Sequence, residues 1–522
     1  MLDCYLFLYL NSVLMNFMTF NDMLRRTAML LPDKTFIHWV DRDRSLTYAD
    51  AVEQSEKVAG ALWGLGVRKG DRVGIFAHNG LDYFMAMFGA YRIGAISCHV
   101  NVLQAEDVAY FAQNATPKVL IYTHDMFPLI DANRPKMPSI EHYLCMDGEQ
   151  EGAQDWNAVV ASAGSAPEVE VSADDGAHLS YTSGSSGAPK GALLPHGAPA
   201  RASHCIAERL QMTSSDVTLG ATSPASSYGL VVNLLPCIHR GATMGLMSRW
   251  DIGKAWEDMD ARGVTLFPAN PLLFDELLTE CRKRGRKPSA LRACPSGGAP
   301  VPPELKKAFL EELNVYLVES YGQSELGGFV ALGYPKEESG EQFTAIGPAL
   351  PDKEVRILDE NDNEVPNGEP GEMCLRGGFM IGYWDMPEKT NEALRNGWLH
   401  TGDMGRMDSQ GYIHMLGRWS ERIVSNGTVI FPRTMEEAFF SHPAVQYVAV
   451  IGKPDAGTGE LPKAVVSLND GQTATEKELL AHAVSILGEK DSPVAVEIIA
   501  KMPMTPTGKI GRAQLQAREK GE

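Results

Sequence analysis

Between Tyr181 and His196 the chain reads Tyr-Thr-Ser-Gly-Ser-Ser-Gly-Ala-Pro-Lys-Gly-Ala-Leu-Leu-Pro-His. Thr182, Ser183, Ser185 and Ser186 supply four hydroxyls, and Gly184 and Gly187 let the backbone turn tightly and approach a ligand. Amide groups in such a turn converge into an anion-binding nest, and Lys190 adds a positive charge. Hydroxyls, bare amides and a lysine together suit the oxygens of a phosphate. The spacing is not that of a Walker A loop, because Ala188 and Pro189 separate Gly187 from Lys190 and Gly191 follows it. Composition alone equally allows a Ser/Gly surface loop.

Four further stretches carry side chains with a use. Ser296-Gly-Gly-Ala-Pro300 offers glycines against which a flat ring can lie, although a plain strand-to-helix turn has the same composition. Tyr321-Gly-Gln-Ser-Glu325 puts a carboxylate where a polyphosphate would repel it, unless the carboxylate holds Mg²⁺, a hard cation that prefers oxygen. Read alone, Glu325 is a surface acid. Thr401-Gly-Asp403 follows Gly397-Trp-Leu-His400; an aspartate there either caps a turn or accepts from both hydroxyls of a ribose. Lys509 sits in Pro503-Met-Thr-Pro-Thr-Gly-Lys-Ile-Gly-Arg512, near a terminus where lysines are ordinarily solvated.

These stretches need elements to hold them. A chain of 522 residues is too long for one core and predicts two or more domains. Thr47 and Asp50 stand at the capping-box offset before a helix, and Leu81–Ile93 forms a second one stopped by Gly94. Val73–Phe76, Ile96–Val100, Val119–Tyr122 and His178–Tyr181 read as short apolar strands between helices, which predicts a layered, largely parallel α/β domain. The His178–Tyr181 strand, entered from a Val171–Asp175 linker, delivers the serine-glycine turn at its C-terminal end, where such sheets place ligands. Thr265–Phe267 and Ala293–Ser296 read as further strands. After Gly417-Arg418 the texture changes: strands Tyr447–Ile451 and Ala464–Leu468 and helix Glu476–Leu487 predict a small α+β domain.

Composition narrows the partners. A net charge of −19 argues against a nucleic-acid or anionic-membrane surface. Eight scattered cysteines, with no C-x-x-C pair, fit a reducing compartment and no zinc site. The four basic residues within 282–286 read as a solvated helix end. Tyr5–Phe17 is apolar but interrupted by Asn11, Ser12 and Asn16, lacks a preceding basic residue, and is too short to span a bilayer. Residues 1–18 are therefore expected to be an over-extended or unstructured start, with Met15 or Met18 as initiator, and no other segment reads as transmembrane.

Taken in order, these motifs resemble the adenylate-forming superfamily, which includes acyl-CoA synthetases, luciferases and peptide-synthetase adenylation domains, and the resemblance runs over roughly residues 20–520. It implies an α/β fold with a large N-terminal domain of several subdomains with layered sheets, residues 19–417, a hinge at 418–421, and a small mobile α+β C-terminal domain, 422–522. By resemblance Thr182–Gly187 and Lys190 bind the phosphates of ATP, Gly298, Ala299 and Pro300 pack on adenine with Tyr321 stacked nearby, and Gly322 and Ser324 line the nucleotide. Glu325 becomes the Mg²⁺ ligand, Asp403 and Arg418 the ribose contacts, and Lys509 the catalytic lysine, with Lys190 and Glu325 in the same catalytic set. Glu421 is the hinge, and Asn426 and Gly427 line the thiol tunnel in a second conformation. Ser226, Ser227, Tyr228, Gly229, Gln323 and Leu326 stand where the family lines its acyl pocket. The chain departs from the family at Ser185, Ser186 and Ser324, which replace threonines and keep the hydroxyl, and at Ser420, which replaces a lysine beside the hinge.

The implied reaction is acid–CoA ligation: ATP converts a carboxylic acid, fatty or other organic, to acyl-AMP with release of pyrophosphate, and CoA then takes the acyl group. Gly371-Glu-Met-Cys-Leu-Arg-Gly-Gly and Gly382-Tyr-Trp also fit the family and read as structural. Two alternatives stay open, a stand-alone adenylating enzyme that loads a carrier protein and a nucleotide-binding homologue without catalysis. The expected setting is cytoplasmic, with a homodimer compatible with the sequence.

Overall fold

The computed structural model describes residues 18–182, 189–336, 338–469, 471–505 and 510–521. Residues 1–17, the loop 183–188 and Lys509, all of which carry expectations from the sequence, lie outside the described residues.

Helices Phe20–Leu30 and Tyr48–Gly64 both start with a reciprocal capping box, Thr19 with Asp22 and Thr47 with Asp50. Each box satisfies two amide donors that a helix start leaves unpaired. Helix Tyr48–Gly64 packs on helix Leu81–Arg92, and the contact is close because Gly89 has no side chain: a Cβ there would stand 2.4 Å from Val58 Cγ1. Phe84, Phe88 and Tyr91 on the second helix are buried in the main apolar cluster.

That layer covers an eight-stranded sheet. From one edge its strands are Gly382–Tyr383, Lys190–Pro195, Gly176–Thr182, Ile96–His99, Arg72–Phe76, Val119–Tyr122, His142–Cys145 and Gln154–Asp155. The six strands from Gly176–Thr182 onward are parallel, and the two at the near edge are antiparallel. The strand that carries the serine-glycine turn therefore enters parallel, and the chain returns beside it as Lys190–Pro195, with Thr182 opposite Lys190.

A second sheet runs Val217–Gly220, Thr243–Leu246, Thr35–Trp39, Arg44–Thr47. The expected strand Thr265–Phe267 is not a ladder. Leu266 makes single parallel bridges to Thr218 and to Ala293, and thereby ties Val217–Gly220 to the pair Ala293–Pro295 and Tyr316–Val318. Pro268 follows at once, and a residue without an N–H interrupts the pairing, which resumes as a single bridge from Ala269 to Ser296.

The third sheet is antiparallel, and its central hairpin joins Trp398–Met407 to Tyr412–Arg418. It ends at Arg418; a 3-10 turn, Trp419–Glu421, follows; a five-stranded sheet then begins at Ile423. Two long strands of that last sheet, Val445–Asp455 and Gly459–Leu468, extend the shorter ones read from the sequence. Helices Pro432–Phe440 and Glu476–Leu487 cover one side and Arg512–Lys520 packs on Val445–Asp455. Among the described residues no helix is long and apolar enough to cross a membrane, and seven cysteines are free, six of them buried.

Candidate active site

Ser180 is the fully buried residue two positions before the end of its strand. Its Oγ lies 3.3 Å from the Ala225 carbonyl and 3.4 Å from Ser324 Oγ. The strand leading to the serine-glycine stretch therefore touches both the Ser223–Leu230 segment and the Tyr321–Glu325 segment, three stretches up to 144 residues apart in the chain.

Lys190 and Glu325 meet on a third residue. Lys190 Nζ stands 3.3 Å from Tyr383 Oη and 4.4 Å from its ring centroid. Tyr383 Oη donates to Glu325 Oε1 at 2.7 Å, and among the described residues Glu325 Oε2 makes no hydrogen bond. Burial raises the Tyr383 phenol's pKa and the neighbouring Glu325 carboxylate raises it further, so the hydroxyl keeps its proton. Tyr383 carried no signal beyond the Gly-Tyr-Trp motif read as structural, because its partners are distant in sequence.

Asp403 is buried beside its strand partner Arg418. Its Oδ1 is 3.4 Å from Arg418 Nε, and its Oδ2 accepts from Tyr321 Oη at 2.7 Å and from Gln323 Nε2. Burial would lower the Arg418 guanidinium, but Asp403 and then Glu421 offset it, and its pKa is raised. The turn that carries Asp403 is held from behind: Glu372 accepts from the Gly402 amide at 2.9 Å and from His400 Nδ1 at 2.9 Å.

The 296–300 turn takes a ring, but it is one of the chain's own. Tyr228 lies so close to Gly297 that a Cβ there would stand 2.3 Å from Tyr228 Cε2. The Tyr228 hydroxyl is within reach of the carbonyls of Pro295 at 2.7 Å and Ala269 at 3.0 Å. Gly298, with φ +86° and nothing within 4 Å of a Cβ, is exposed with Pro300, and Ala299 is half-buried between them.

Several expected acyl-pocket residues have other employment. Leu326 is buried among Ala192, Leu194, Val330 and Met380, so it is core rather than wall. Gln323 directs its amide to Asp403 and to the Thr401 carbonyl. Ser226 Oγ donates to the Ser223 carbonyl and accepts from the Gly229 amide, closing a local turn, and a Cβ on Gly229 would stand 2.4 Å from the Ser223 carbonyl oxygen. Tyr228 spends its hydroxyl on the backbone as above. Ser227 makes no hydrogen bond among the described residues. Beneath the segment runs a buried network that sequence patterning did not disclose: His178 bonds Tyr91, His99 bonds Tyr83, and the two imidazoles stack at 4.2 Å. Burial pushes the His178 pKa down to about 3, so this floor is neutral at physiological pH.

Glu421 Oε2 lies 3.5 Å from Arg512 Nε, and Arg512 is fixed at 2.7 Å to both oxygens of Glu436. Arg433 of helix Pro432–Phe440 reaches the buried Glu319 at 3.1 Å. Asn426 and Gly427, with φ +51° and +75°, form the two-residue turn between strands Ile423–Ser425 and Thr428–Ile430, the backbone that an Asn-Gly pair favours. Both residues are exposed.

A parallel sheet ending in a phosphate-type loop, with a lysine, a carboxylate and a buried aspartate gathered from separate segments, defines an α/β nucleotide-binding enzyme. The chain belongs to the AMP-binding enzyme family: that family's model matches residues 24–384, and the AMP-binding enzyme C-terminal domain matches residues 434–509. It is 31% identical over 495 residues to a feruloyl-CoA synthase of an Amycolatopsis species, covering 94% of this chain and 97% of the relative. A long-chain-fatty-acid–CoA ligase of Bacillus subtilis is also 31% identical, over 96% of this chain and 94% of its own. Among solved structures, an anthranilate CoA ligase in complex with anthranoyl-AMP superposes with a TM-score of 0.89 at 26% identity, covering 97% of this chain and 98% of that one. The fold is thus that of the adenylate-forming enzymes.

Proposed function

We propose that the chain is an ATP-dependent acid–CoA ligase acting in the cytoplasm on a fatty or other organic acid. In the first half-reaction a carboxylate oxygen attacks the α-phosphorus of ATP, the bond to the bridging oxygen breaks, and pyrophosphate leaves. In the second, the CoA sulfur attacks the acyl carbonyl, AMP leaves, and the thiol proton passes to solvent. The observation that carries this reading is the meeting of Lys190 and Glu325 on the Tyr383 hydroxyl, which sets a cation and a carboxylate at the return of the phosphate loop.

Loop residues 182–187 and Lys190 hold the β- and γ-phosphates, and Lys509 bridges the attacking oxygen and the α-phosphate. A donor preorganised at developing charge contributes about 2.7–4 kcal/mol to such a step. Magnesium fits Glu325, whose Oε2 makes no hydrogen bond among the described residues and which would complete the usual set of one or two carboxylates plus phosphate oxygens. When bound, the ion neutralises charge on the departing pyrophosphate. Asp403 and Arg418 orient the ribose, and Gly298, Ala299 and Pro300 lie against the base. Rotation at Glu421 withdraws Lys509 and brings the Asn426–Gly427 turn to the thiol path.

Pyrophosphate release against a panel of carboxylates, with and without CoA, tests the reading. An active acid should release pyrophosphate in both conditions and yield thioester only with CoA. Release without any consumption of CoA would reassign the acceptor to a carrier protein, and silence with every acid would sink the proposal.

A further inference from the structure

We propose that Tyr383 is a positioning residue of the adenylation step: its hydroxyl holds one oxygen of Glu325, so that the other oxygen faces a magnesium–triphosphate, while its ring face, which a phenylalanine would keep, lies against Lys190. The inference rests on the reading of Glu325 as the metal carboxylate. One hydroxyl serves both neighbours, donating to Glu325 Oε1 at 2.7 Å and accepting from Lys190 Nζ at 3.3 Å. The ring face adds a cation–π contact to the same ammonium, at 4.4 Å from centroid to nitrogen.

The backbone fixes the phenol relative to both partners. Gly382 and Tyr383 pair with Leu193 and Ala192, just beyond Lys190, and the Trp384 amide bonds the Gly191 carbonyl at 2.7 Å. At the other end the Met380 amide bonds the carbonyl of Glu325 itself at 2.8 Å. The Tyr383 amide donates to Thr390 Oγ1 at 2.9 Å, and Gly382 admits that threonine closely, since a Cβ there would stand 2.9 Å from Thr390 Cγ2. Packing alone does not account for a tyrosine here. The ring joins an apolar cluster with Ala192, Leu194 and Met380, a place a phenylalanine would fill as well. What the hydroxyl adds is a fixed direction for a carboxylate that would otherwise lose conformational freedom on meeting the metal. Groups that orient a metal ligand in this way typically matter about 10–100-fold in metal affinity.

The test is calorimetric titration of ATP into the full chain, once in excess Mg²⁺ and once in EDTA, for the parent, Tyr383→Phe and Glu325→Gln. The quantity read is the gain in ATP affinity that the metal confers. Tyr383→Phe should cut that gain about tenfold while metal-free affinity stays near the parent's, and Glu325→Gln should abolish it. Tyr383→His, which can still donate, should recover part of the gain and guards against a folding artefact in the phenylalanine variant. A parental gain in Tyr383→Phe with loss in Glu325→Gln would overturn the role of Tyr383 and leave Glu325 standing. A parental gain in Glu325→Gln would overturn both. An equal loss of affinity with and without metal in Tyr383→Phe would also overturn the proposal, because the phenol would then serve ATP or the fold rather than the metal carboxylate.

Discussion

Arg433→Met should cost more stability than any exposed arginine substitution in this chain, and the cost should depend on pH. Arg433 and Glu319 are 11% and 5% exposed, and Nη2 to Oε1 is 3.1 Å. Removing one partner of a buried pair strands the other charge, at about 3–5 kcal/mol. Lys306 also acts on Glu319, and the Val301 amide lies 3.5 Å from Oε1, so we expect the lower end, about 3 kcal/mol. Burial raises the Glu319 carboxyl's pKa, while Arg433 pulls it back without cancelling the rise. The folded state thus keeps a proton that the unfolded chain has lost above about pH 4.3. Stability attributable to Glu319 therefore falls as pH rises from that value to the raised one. Deleting Arg433 removes the opposing pull and widens this window. The penalty should be small near pH 4.5 and full at pH 8, read as the shift of the urea midpoint in each buffer. Glu319→Gln in the same chain should relieve most of it, since the one carboxylate then left without Arg433, Glu437, is partly exposed. An equal penalty at both pH values, or strict additivity of the two substitutions, would refute the reasoning.

Three further outcomes are expected. Gly297→Ala should lower the melting temperature, because its Cβ falls 2.3 Å from Tyr228 Cε2 and overpacking costs about 1–3 kcal/mol; a parental melting curve would contradict the contact. Burial pushes the Glu372 carboxyl up, but its bonds to His400 and Gly402 outweigh that and its pKa is lowered, so its contribution is present above the ordinary carboxylate range and lost as pH falls through the depressed value. Glu372→Gln should accordingly cost about 1–2 kcal/mol near neutral pH, with the gap to the parent closing in acid; a pH-independent gap in thermal melts would argue otherwise. Lys509→Ala should abolish pyrophosphate release yet still convert supplied acyl-adenylate to thioester, and an equal loss in both assays would deny it a role confined to the first step.

Local signals were legible wherever chemistry and backbone geometry coincide in a short stretch. The capping box at Thr47 and Asp50, helix Glu476–Leu487 and the parallel strands of the first sheet follow from residue type and spacing alone. The strand ending at Thr182 could be placed because an apolar run stops at a serine-glycine turn. Side-chain direction was not legible. Leu326 and Gln323 are separated by two residues, yet one is sealed in the core and the other bonds Asp403, since a 3-10 turn begins at Ser324 and rotates them apart. Tyr228 was expected to face an acid and instead lies under Gly297, a contact that depends on the register of two segments about 70 residues apart. Tyr383, Arg433 and the stacked His99 and His178 act through partners far away in the chain, and no periodicity in one sequence marks such pairs.

On the proposed reading of Asp403 as a ribose contact, its present hydrogen bonds limit how a ribose can bind there. A carboxylate has about four acceptor sites, two on each oxygen. Oδ2 already accepts from Tyr321 and Gln323, while Oδ1 faces Arg418 at 3.4 Å. Two ribose hydroxyls cannot therefore engage both oxygens unless one present donor withdraws. Tyr321 is the poorer candidate to move, because its ring is buried in the cluster around Ala192 and Leu399. Gln323 is half-buried, and its amide retains the Thr401 carbonyl as a second partner when it releases Asp403. Exchange of a glutamine donor for a ribose hydroxyl trades one hydrogen bond for another and leaves the buried carboxylate satisfied throughout. If Asp403 is the ribose contact proposed above, Gln323 Nε2 is the donor that gives up Asp403 Oδ2 to a ribose hydroxyl.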